Sequence, residues 1–229
     1  GMWMQNQNNQ NLNEAVYQYT LDQILSMKIK SGDKIPETKL AKEFGTSRTP
    51  IREALRRLAD DGIINIYPNR MAEVATWDDE TIRQIGLMRI QLDVLAARLA
   101  VYHGSNADFA QTFEHAKLCL EAGKAGNIAM RIREDCAFHC DLSRISKNAQ
   151  LYKFSQNIAL KIEFIQSCLG VGYLDSPVLQ YEQHVEIYHA LLDRNVKLAT
   201  SLIVHYHSLF HNMQDYYPVE WLKSICEVD

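Results

Sequence analysis

The sequence is poor in the residues that interrupt or cross-link a chain. Its 229 residues include only 10 glycines and 5 prolines, so long helices can continue unbroken. Its five cysteines are an odd number without CxxC spacing, which favours reduced thiols over a disulfide framework. Charged residues interrupt every apolar run well before the ~20 residues of a membrane span, and no signal peptide is visible. We therefore expect a mostly helical, cytoplasmic protein that is long enough for two domains.

Positive charge is scarce overall but concentrated in one segment. The formal net charge of the chain is -4. Residues 28–57 nevertheless contain nine Lys or Arg against four Asp or Glu, a net of +5, whereas residues 76–229 contain 14 against 19, a net of -5. One basic segment on an acidic chain indicates a localised anion-binding surface, and nucleic acid is the commonest large anion.

The first twelve residues carry no structural pattern. They are rich in Gln and Asn without periodicity, and a glycine precedes Met2. A glycine in that place is typical of the remnant of a cleaved tag. We therefore expect residues 1–12 to be a disordered tail that includes a tag remnant.

Residues 13–76 have the pattern of three helices followed by a β-hairpin. Apolar residues recur at helical spacing in three segments, with Gly45 closing the second and Ser47 capping the third. Two short apolar alternations then flank a turn at residues 68–69, which predicts a hairpin with Arg70 near its tip. These elements together predict a winged helix-turn-helix domain. The predicted helices are about 13–27, 37–45 and 47–62.

The third predicted helix carries an arginine face. Arg48, Arg52 and Arg56 are spaced four residues apart, so they project from one side, which is not the side of the apolar residues. Such a segment is often only an amphipathic surface helix with a solvated charged face. The Ser-Arg-Thr-Pro start, the short helix upstream and the hairpin downstream together favour a DNA-reading helix instead.

The second half of the chain is predicted to be all helical. Apolar residues keep helical spacing in six segments, and no strand pattern competes. Thr76 with Asp79, Asn127 and Asn195 are candidate N-caps. The predicted fold class is therefore mostly α, with a winged helix-turn-helix followed by an all-α helical bundle over residues 77–229. The six predicted helices are about Asp79–Tyr102, Asn106–Ala122, Ile128–Ile145, Ala149–Gly170, Pro177–Asp193 and Val196–Met213.

Two parts of the chain resemble known families. The stretch ETKLAKEFGTSRTPIREALRRLADDGIINIYPNR, residues 37–70, is similar to the DNA-binding signature of the GntR family of bacterial transcription regulators. The helical half resembles the FCD-type ligand-binding domain of the FadR subfamily. This second resemblance is carried by Asp135 and His139, by Asn148, and by His184 in EQHVEIYHALLD.

The resemblance implies a homodimer that binds operator DNA and changes its affinity when a small-molecule effector occupies the helical domain. Arginine suits base contacts because its planar fork pairs bidentately with guanine, whereas backbone amides and hydroxyls at a helix start suit phosphates. Lys39 on the second helix has two equally favoured interpretations. It contacts the DNA backbone, or it is a solvated surface lysine. The DNA-binding candidates are Arg48 and Arg52 for bases, Ser47 and Thr49 for phosphates, Arg70 for the wing and Lys39 for the backbone.

The same resemblance gives Asp135, His139 and His184 the role of metal ligands. Asp135 and His139 are one helical turn apart, which suits two ligands of one ion, although a local hydrogen bond also explains this spacing. Imidazole nitrogen suits zinc, nickel and similar ions. The expected cofactor is therefore a divalent metal ion, zinc or nickel, held by these three residues.

The position of a further histidine in the related site falls on Tyr206. Counting from Ala190 and Ala199 gives this position, and a helical wheel places Tyr206 near the centre of the apolar stripe with His205 and His207 at its edges. Three outcomes stay open. The three ligands hold the metal with water or the effector completing its shell, a register shift turns His207 inward, or the metal is lost and the pocket binds its effector directly.

Arg89 is the candidate anchor for the effector. It lies four residues before Asp93, which a surface ion pair explains. The resemblance instead implies that Arg89 points inward. A buried guanidinium can bind a carboxylate through two parallel hydrogen bonds. The expected effector is therefore a small organic acid. The effector-binding candidates are Arg89, Asp135, His139, His184 and Tyr206.

The sequence supports three hypotheses about function. The first is a dimeric, effector-responsive transcription regulator that is not an enzyme. The second is a metal-dependent hydrolytic enzyme whose ion activates water, but it leaves the arginine-rich helix unexplained. The third is a structural nucleic-acid-binding protein without an effector, which leaves the inward polar residues unexplained. The regulator accounts for both halves of the chain.

Overall fold

The chain divides into two compact units between Trp77 and Asp78. The structure, a computed structural model, describes residues 2–69, 71–169 and 176–228. Each unit has its own buried apolar core. Within the described ranges, no helix is both long enough and apolar enough to cross a membrane.

Helix α1 spans Met2–Leu25 and belongs to the N-terminal unit. Residues 2–12, which we expected to be a disordered tail, instead form the first part of this helix. The sequence contains no glycine or proline between Met2 and Leu25, so nothing in that stretch stops the helix from continuing. The later turns bury Val16, Leu21 and Ile24, which anchor α1 in the core.

Helices α2 (Glu37–Glu43) and α3 (Arg48–Asp60) form the helix-turn-helix. The turn between them uses Gly45, whose φ of 60° lies in the left-handed region that disfavours a side chain. The apolar side of α3, which includes Ile51, is buried, and α3 packs against α1. Ser47 occupies the N-cap position as predicted, but within the described residues its hydroxyl makes no capping hydrogen bond.

Strands β1 (Ile64–Ile66) and β2 (Ala72–Val74) pair antiparallel and form the wing. The register places Ile64 opposite Val74, and both side chains are buried. One face of the hairpin therefore points at the core, as the alternating sequence requires. The predicted winged helix-turn-helix is confirmed, whereas Arg70 lies outside the described residues.

The C-terminal unit is helical throughout its described ranges. The six helices predicted from periodicity are present, and the predicted fold class of a winged domain followed by an all-α bundle is confirmed. The predicted end of the fourth of these helices, Gly170, lies outside the described residues. The helices are α4 (Asp79–His103), α5 (Asn106–Lys124), α6 (Ile128–Ile145), α7 (Ala149–Leu169), α8 (Pro177–Leu192), α9 (Val196–Phe210) and a short α10 (Val219–Ile225).

Side-chain caps set the starts of several of these helices. Asn127 and Asn195 each accept a hydrogen bond from a backbone N–H in the first turn of their helix, as predicted. Helix α4 is capped by Asp78 rather than by the predicted Thr76. Asp78 directly precedes the first helical residue, and its negative charge also complements the positive end of the helix dipole.

Helix α6 lies at the centre of the bundle and positions the candidate ligands. It packs against α4, α5 and α7. Phe138 and Leu142 on α6 are fully buried in the main apolar cluster, which also contains Phe109 of α5 and Ile187 of α8. Because this side of α6 is sealed by neighbouring helices, polar side chains next to Phe138 are held inside the protein.

Candidate DNA-binding face and effector pocket

Arg48 lies in the first turn of α3 with its side chain exposed. Its Nη2 donates a hydrogen bond of 3.3 Å to Oγ1 of Thr38. Ser47 and Thr49 on either side are exposed as well. An accessible arginine suits a base edge, and hydroxyls at a helix N-terminus suit a phosphate. The roles of these residues in DNA binding stay predictions, and their exposure meets the first requirement for such roles.

Arg52 is placed differently from Arg48. Its side chain is half-buried, and its Nε lies 2.8 Å from Oε1 of Glu37, so it links α3 to α2. Lys39 is 74% exposed, with its Nζ 4.0 Å from a carboxylate oxygen of Glu43. A surface pair of that kind contributes at most about 1 kcal/mol, so Lys39 is held only weakly. Arg52 therefore has a structural contact in addition to its predicted DNA contact.

Three buried side chains meet between α6 and α8. Asp135 and His139 stand one turn apart on α6 and face His184 of α8. The Oδ1 atom of Asp135 lies 2.8 Å from Nε2 of His184 and 3.6 Å from Nε2 of His139. The ring of Phe138 packs against His184, with 4.4 Å between the ring centroids. The structure thus brings together the three residues predicted as metal ligands.

Burial and pairing set the charges of this cluster. Burial acts to raise the pKa of Asp135, but its contacts with His139 and His184 outweigh burial and hold this pKa well below its usual value. Burial lowers the pKa of His139. An ionised carboxylate therefore lies beside an uncharged imidazole at neutral pH, and these are the protonation states that metal binding requires.

The donor set fits a divalent metal ion. One donor atom from each of Asp135, His139 and His184 lies within 4.8 Å of the other two. Among the described residues, Nδ1 of His139 and Nδ1 of His184 are buried without a hydrogen-bond partner. One carboxylate with two imidazoles is a set that zinc and nickel accept, and each ring keeps a nitrogen for a further contact. The residues present thus match the ion that the resemblance implies.

A second buried group adjoins this cluster. Nε2 of His207 lies 2.6 Å from Oδ2 of Asp93. The ring centroid of His207 is 4.4 Å from that of His139. Asp93, His139 and His207 also bring one donor atom each within 4.8 Å of the others. His139 is therefore common to two groups of buried donors.

His207, and not Tyr206, holds the inward position on α9. His207 is 2% exposed, whereas Tyr206 is half-buried and its hydroxyl donates a 2.8 Å hydrogen bond to Glu186. His207 therefore turns inward, whereas the identity of the metal ligands stays a prediction. A broad apolar stripe does not fix the phase of a helix to within one residue, whereas the contact with Asp93 does. Tyr206 still lines the same cavity.

Arg89 is buried beside the second group. It is 4% exposed, so its pairing with Asp93 is not a surface ion pair. Its Nε lies 3.6 Å from Oδ2 of Asp93, and its Nη1 lies 2.9 Å from Nε2 of His211. Burial and the positive charge of Arg89 lower the pKa of His211 well below its usual value, so this imidazole is an uncharged acceptor. Sequence reasoning missed His211, because it follows the end of α9 and no local pattern marks it.

A small cavity joins Arg89 to the cluster of candidate ligands. Its volume is about 20 Å³, which is room for about one water molecule. Phe210 contributes an aromatic wall, with the guanidinium carbon of Arg89 5.7 Å from its ring centroid. The lining includes Arg89, Asp135, His139, His184, Tyr206 and Phe210. The cavity therefore combines a buried cation with a metal-type donor set.

The organisation of the chain defines its class. The chain begins with a winged helix-turn-helix that exposes an arginine on α3, and a helical domain with a buried polar pocket follows. This organisation is typical of a two-domain DNA-binding regulator. The chain matches the family model described as bacterial regulatory proteins, gntR family, over residues 12–74. It matches the FCD domain over residues 84–208. The chain belongs to the GntR family, and its helical unit is an FCD domain.

Named relatives agree with this assignment. The Nta operon transcriptional regulator of Aminobacter aminovorans is 29% identical over 174 residues, which cover 74% of this chain and 79% of that protein. A probable D-xylose utilization operon transcriptional repressor of Paenarthrobacter nicotinovorans is 27% identical over 206 residues, 89% of this chain and 86% of that protein. The solved structure of Escherichia coli McbR/YncC shares the fold, with a TM-score of 0.74 at 20% identity, covering 86% of this chain and 93% of that chain.

The family and the relatives decide between the hypotheses drawn from the sequence. The chain is a DNA-binding transcriptional regulator and not an enzyme. The hypothesis of a metal-dependent hydrolytic enzyme has no support in either matched family or in the relatives named above.

Proposed function

We propose that this regulator binds operator DNA as a homodimer and that a small organic carboxylate, held at Arg89 beside a divalent metal ion, changes its affinity for the operator. One observation carries the proposal. Arg89 and the cluster of Asp135, His139 and His184 line the same small cavity. A carboxylate placed there finds two positively charged anchors, the guanidinium and the ion.

The surroundings of Arg89 favour an added anion. The nearest carboxylate oxygen, on Asp93, lies 3.6 Å from Nε, which is longer than the ~2.7–3.2 Å of an N–H···O hydrogen bond. The same Oδ2 atom of Asp93 lies 2.6 Å from Nε2 of His207, so Arg89 shares this oxygen with a closer partner. His211 accepts from Arg89 but carries no charge. Because the ion pair between Arg89 and Asp93 is long, a carboxylate that pairs with Arg89 bidentately adds a closer anionic partner to this buried cation.

Asp135, His139 and His184 would hold the metal ion, which would be zinc or nickel. When bound, it supplies a Lewis-acidic seat for one oxygen of the effector. His207 lies next to His139, where Asp93 keeps its ring in place through the 2.6 Å contact. The chain's own part in binding is to orient these imidazoles and to keep them buried.

The homodimer follows from the way winged helices read DNA. One module contacts one half-site, and two-fold related half-sites require two modules in a symmetric pair. The exposed start of α3, with Arg48 between Ser47 and Thr49, is the part of each module that we assign to the major groove. Lys39, Arg52 and Arg70 complete the proposed contacts.

We expect carboxylates to stabilise the protein through Arg89. In a thermal-shift assay with acetate, malonate and citrate, at least one acid raises the Tm of the wild-type chain, because a ligand at 100 times its Kd adds about 2.7 kcal/mol to the free energy of unfolding. Arg89→Gln loses this shift relative to its own ligand-free Tm, since the guanidinium fork is gone.

Arg133→Gln is the matched control, because Arg133 is an exposed arginine of the same unit whose Nε pairs with Glu163. It keeps the full shift. The proposal fails if no acid in the set shifts the wild-type Tm, or if Arg89→Gln retains the whole shift.

A further inference from the structure

A second and larger cavity adjoins the first at the end of α9. Its volume is about 360 Å³, which lies within the ~300–1,000 Å³ of typical small-molecule sites. The first cavity, at about 20 Å³, has room for about one water molecule and not for the body of an organic acid. An effector anchored at Arg89 therefore needs space beyond the first cavity.

Phe210 and His211 separate the two cavities. The side chain of Phe210 lines both of them. His211 lines the larger cavity, and its Nε2 lies 2.9 Å from Nη1 of Arg89, which lines the smaller one. A carboxylate that enters from the larger cavity can therefore replace His211 as the acceptor for Arg89.

The lining of the larger cavity selects for an apolar ligand with one polar group. Ile82, Leu169, Leu209 and Phe210 supply apolar walls, and no Lys, Arg, Asp or Glu belongs to the described lining. Gln166, His211 and Asn212 are the polar residues of the described lining, and Gln166 is the one that is deeply buried. Its side chain is 5% exposed, and its Oε1 is buried without a hydrogen-bond partner among the described residues.

The unpartnered Oε1 of Gln166 points to a hydrogen-bond donor on the ligand. A buried acceptor without a partner loses its hydration and gains no hydrogen bond in return, so native proteins leave few of them. An amide oxygen accepts from a hydroxyl or an N–H group. A ligand that fills this cavity and carries such a group satisfies Gln166.

We propose that the effector is an amphipathic carboxylic acid whose carboxylate pairs with Arg89, whose apolar body fills the larger cavity, and whose hydroxyl or N–H group donates to Gln166. This inference rests on the proposed function and names the class of its effector. We call His211 the latch, because it accepts a hydrogen bond from Arg89 when no carboxylate is present. The carboxylate replaces His211 as the acceptor when the effector binds.

The length of the acid provides the first test. We expect 6-hydroxyhexanoate to bind the full chain at least about tenfold more tightly than acetate in isothermal titration calorimetry, because it buries additional methylene groups. Hexanoate, which lacks the hydroxyl, binds more weakly than 6-hydroxyhexanoate to the wild type. Gln166→Met, which keeps the length of the side chain but removes the acceptor, makes the two six-carbon acids bind equally.

Two further variants separate the cavity from the latch. Leu209→Trp fills the larger cavity, so it lowers the preference for 6-hydroxyhexanoate over acetate at least about tenfold. His211→Phe keeps an aromatic ring at the latch but cannot accept a hydrogen bond from Arg89. We therefore expect 6-hydroxyhexanoate and acetate each to bind this variant at least about threefold more tightly than the wild type. A merely structural role for His211 predicts weaker binding instead. Circular dichroism checks that each variant is folded.

The outcomes distinguish this inference from the function on which it rests. If acetate, malonate or citrate binds through Arg89 while 6-hydroxyhexanoate gains nothing over acetate, the amphipathic effector is wrong and the proposed function stands. If none of these acids binds the wild-type chain, both are wrong. If wild type and Gln166→Met prefer 6-hydroxyhexanoate over hexanoate to the same extent, Gln166 does not accept from the ligand. The proposed hydrogen-bond donor on the ligand is then wrong as well.

Discussion

Arg48→Ala will weaken binding of the regulator to its operator about 5- to 150-fold per half-site. The estimate follows from the ~1–3 kcal/mol that a bidentate arginine contact with a base contributes. Arg48 is exposed at the start of α3, and its neighbours there are two hydroxyl side chains. Fluorescence anisotropy with operator DNA selected by the protein itself measures the change at fixed salt concentration, because phosphate contacts make the affinity depend on salt.

Lys153→Ala is the matched control for Arg48→Ala. It removes one positive charge from an exposed position on α7, in the other unit of the chain, and leaves operator affinity unchanged. Arg52 is a less direct test, because Arg52→Ala also breaks the 2.8 Å contact between Arg52 and Glu37 that links α3 to α2. Unchanged affinity in Arg48→Ala, in a protein that is folded by circular dichroism, contradicts the assignment of α3 as the reading helix.

We expect His139→Ala to abolish binding of the proposed metal ion by the helical unit. His139 lies between both groups of buried donors, so its loss leaves Asp135 and His184 as an incomplete set. Loss of a partner that only supports a ligand lowers metal affinity 10- to 100-fold, and we expect loss of a ligand to exceed ~100-fold. Elemental analysis gives the metal per chain, and competition with a chromophoric chelator gives the affinity.

His115→Ala is the matched control for the metal. Nδ1 of His115 lies 2.6 Å from a carboxylate oxygen of Glu134, so the pair has the same chemistry as Asp135 with His184. His115 is partly exposed and lies outside both clusters of buried donors. Wild type and His115→Ala should hold equal metal. Negligible metal in all three proteins, after growth and purification with zinc and nickel supplied, refutes the metal part of the proposal.

Local signals made most of the fold predictable. Gly45 closes α2 because a glycine readily adopts the left-handed backbone conformation found there. The side chains of Asn127 and Asn195 cap their helices by accepting from backbone N–H groups three residues further along the chain. Helix α10 was not predicted, because it has only seven residues and, unlike the equally short α2 with Gly45, no glycine closes it. It is held by tertiary contacts, such as the 2.8 Å hydrogen bond from Arg98 to the carbonyl of Cys226.

The site was predictable where its residues share one helix and less so where they come from different helices. Asp135 and His139 are one turn apart on α6, so their common direction follows from helix geometry. The inward turn of His207 depends on Asp93 of another helix, and the wheel alone favoured Tyr206. His211 and Gln166 carry no sequence signal, since their partner and their cavity exist only in the folded bundle.

The most direct test of the account is the operator Kd measured with and without a saturating carboxylate, in wild type and in Arg89→Gln. The carboxylate is the acid that gives the largest thermal shift. We predict that it changes the Kd of the wild type about 5- to 150-fold, the range of an allosteric coupling of ~1–3 kcal/mol, and leaves that of Arg89→Gln unchanged. A wild-type Kd that is the same with and without the bound acid would contradict the claim that this pocket governs DNA binding.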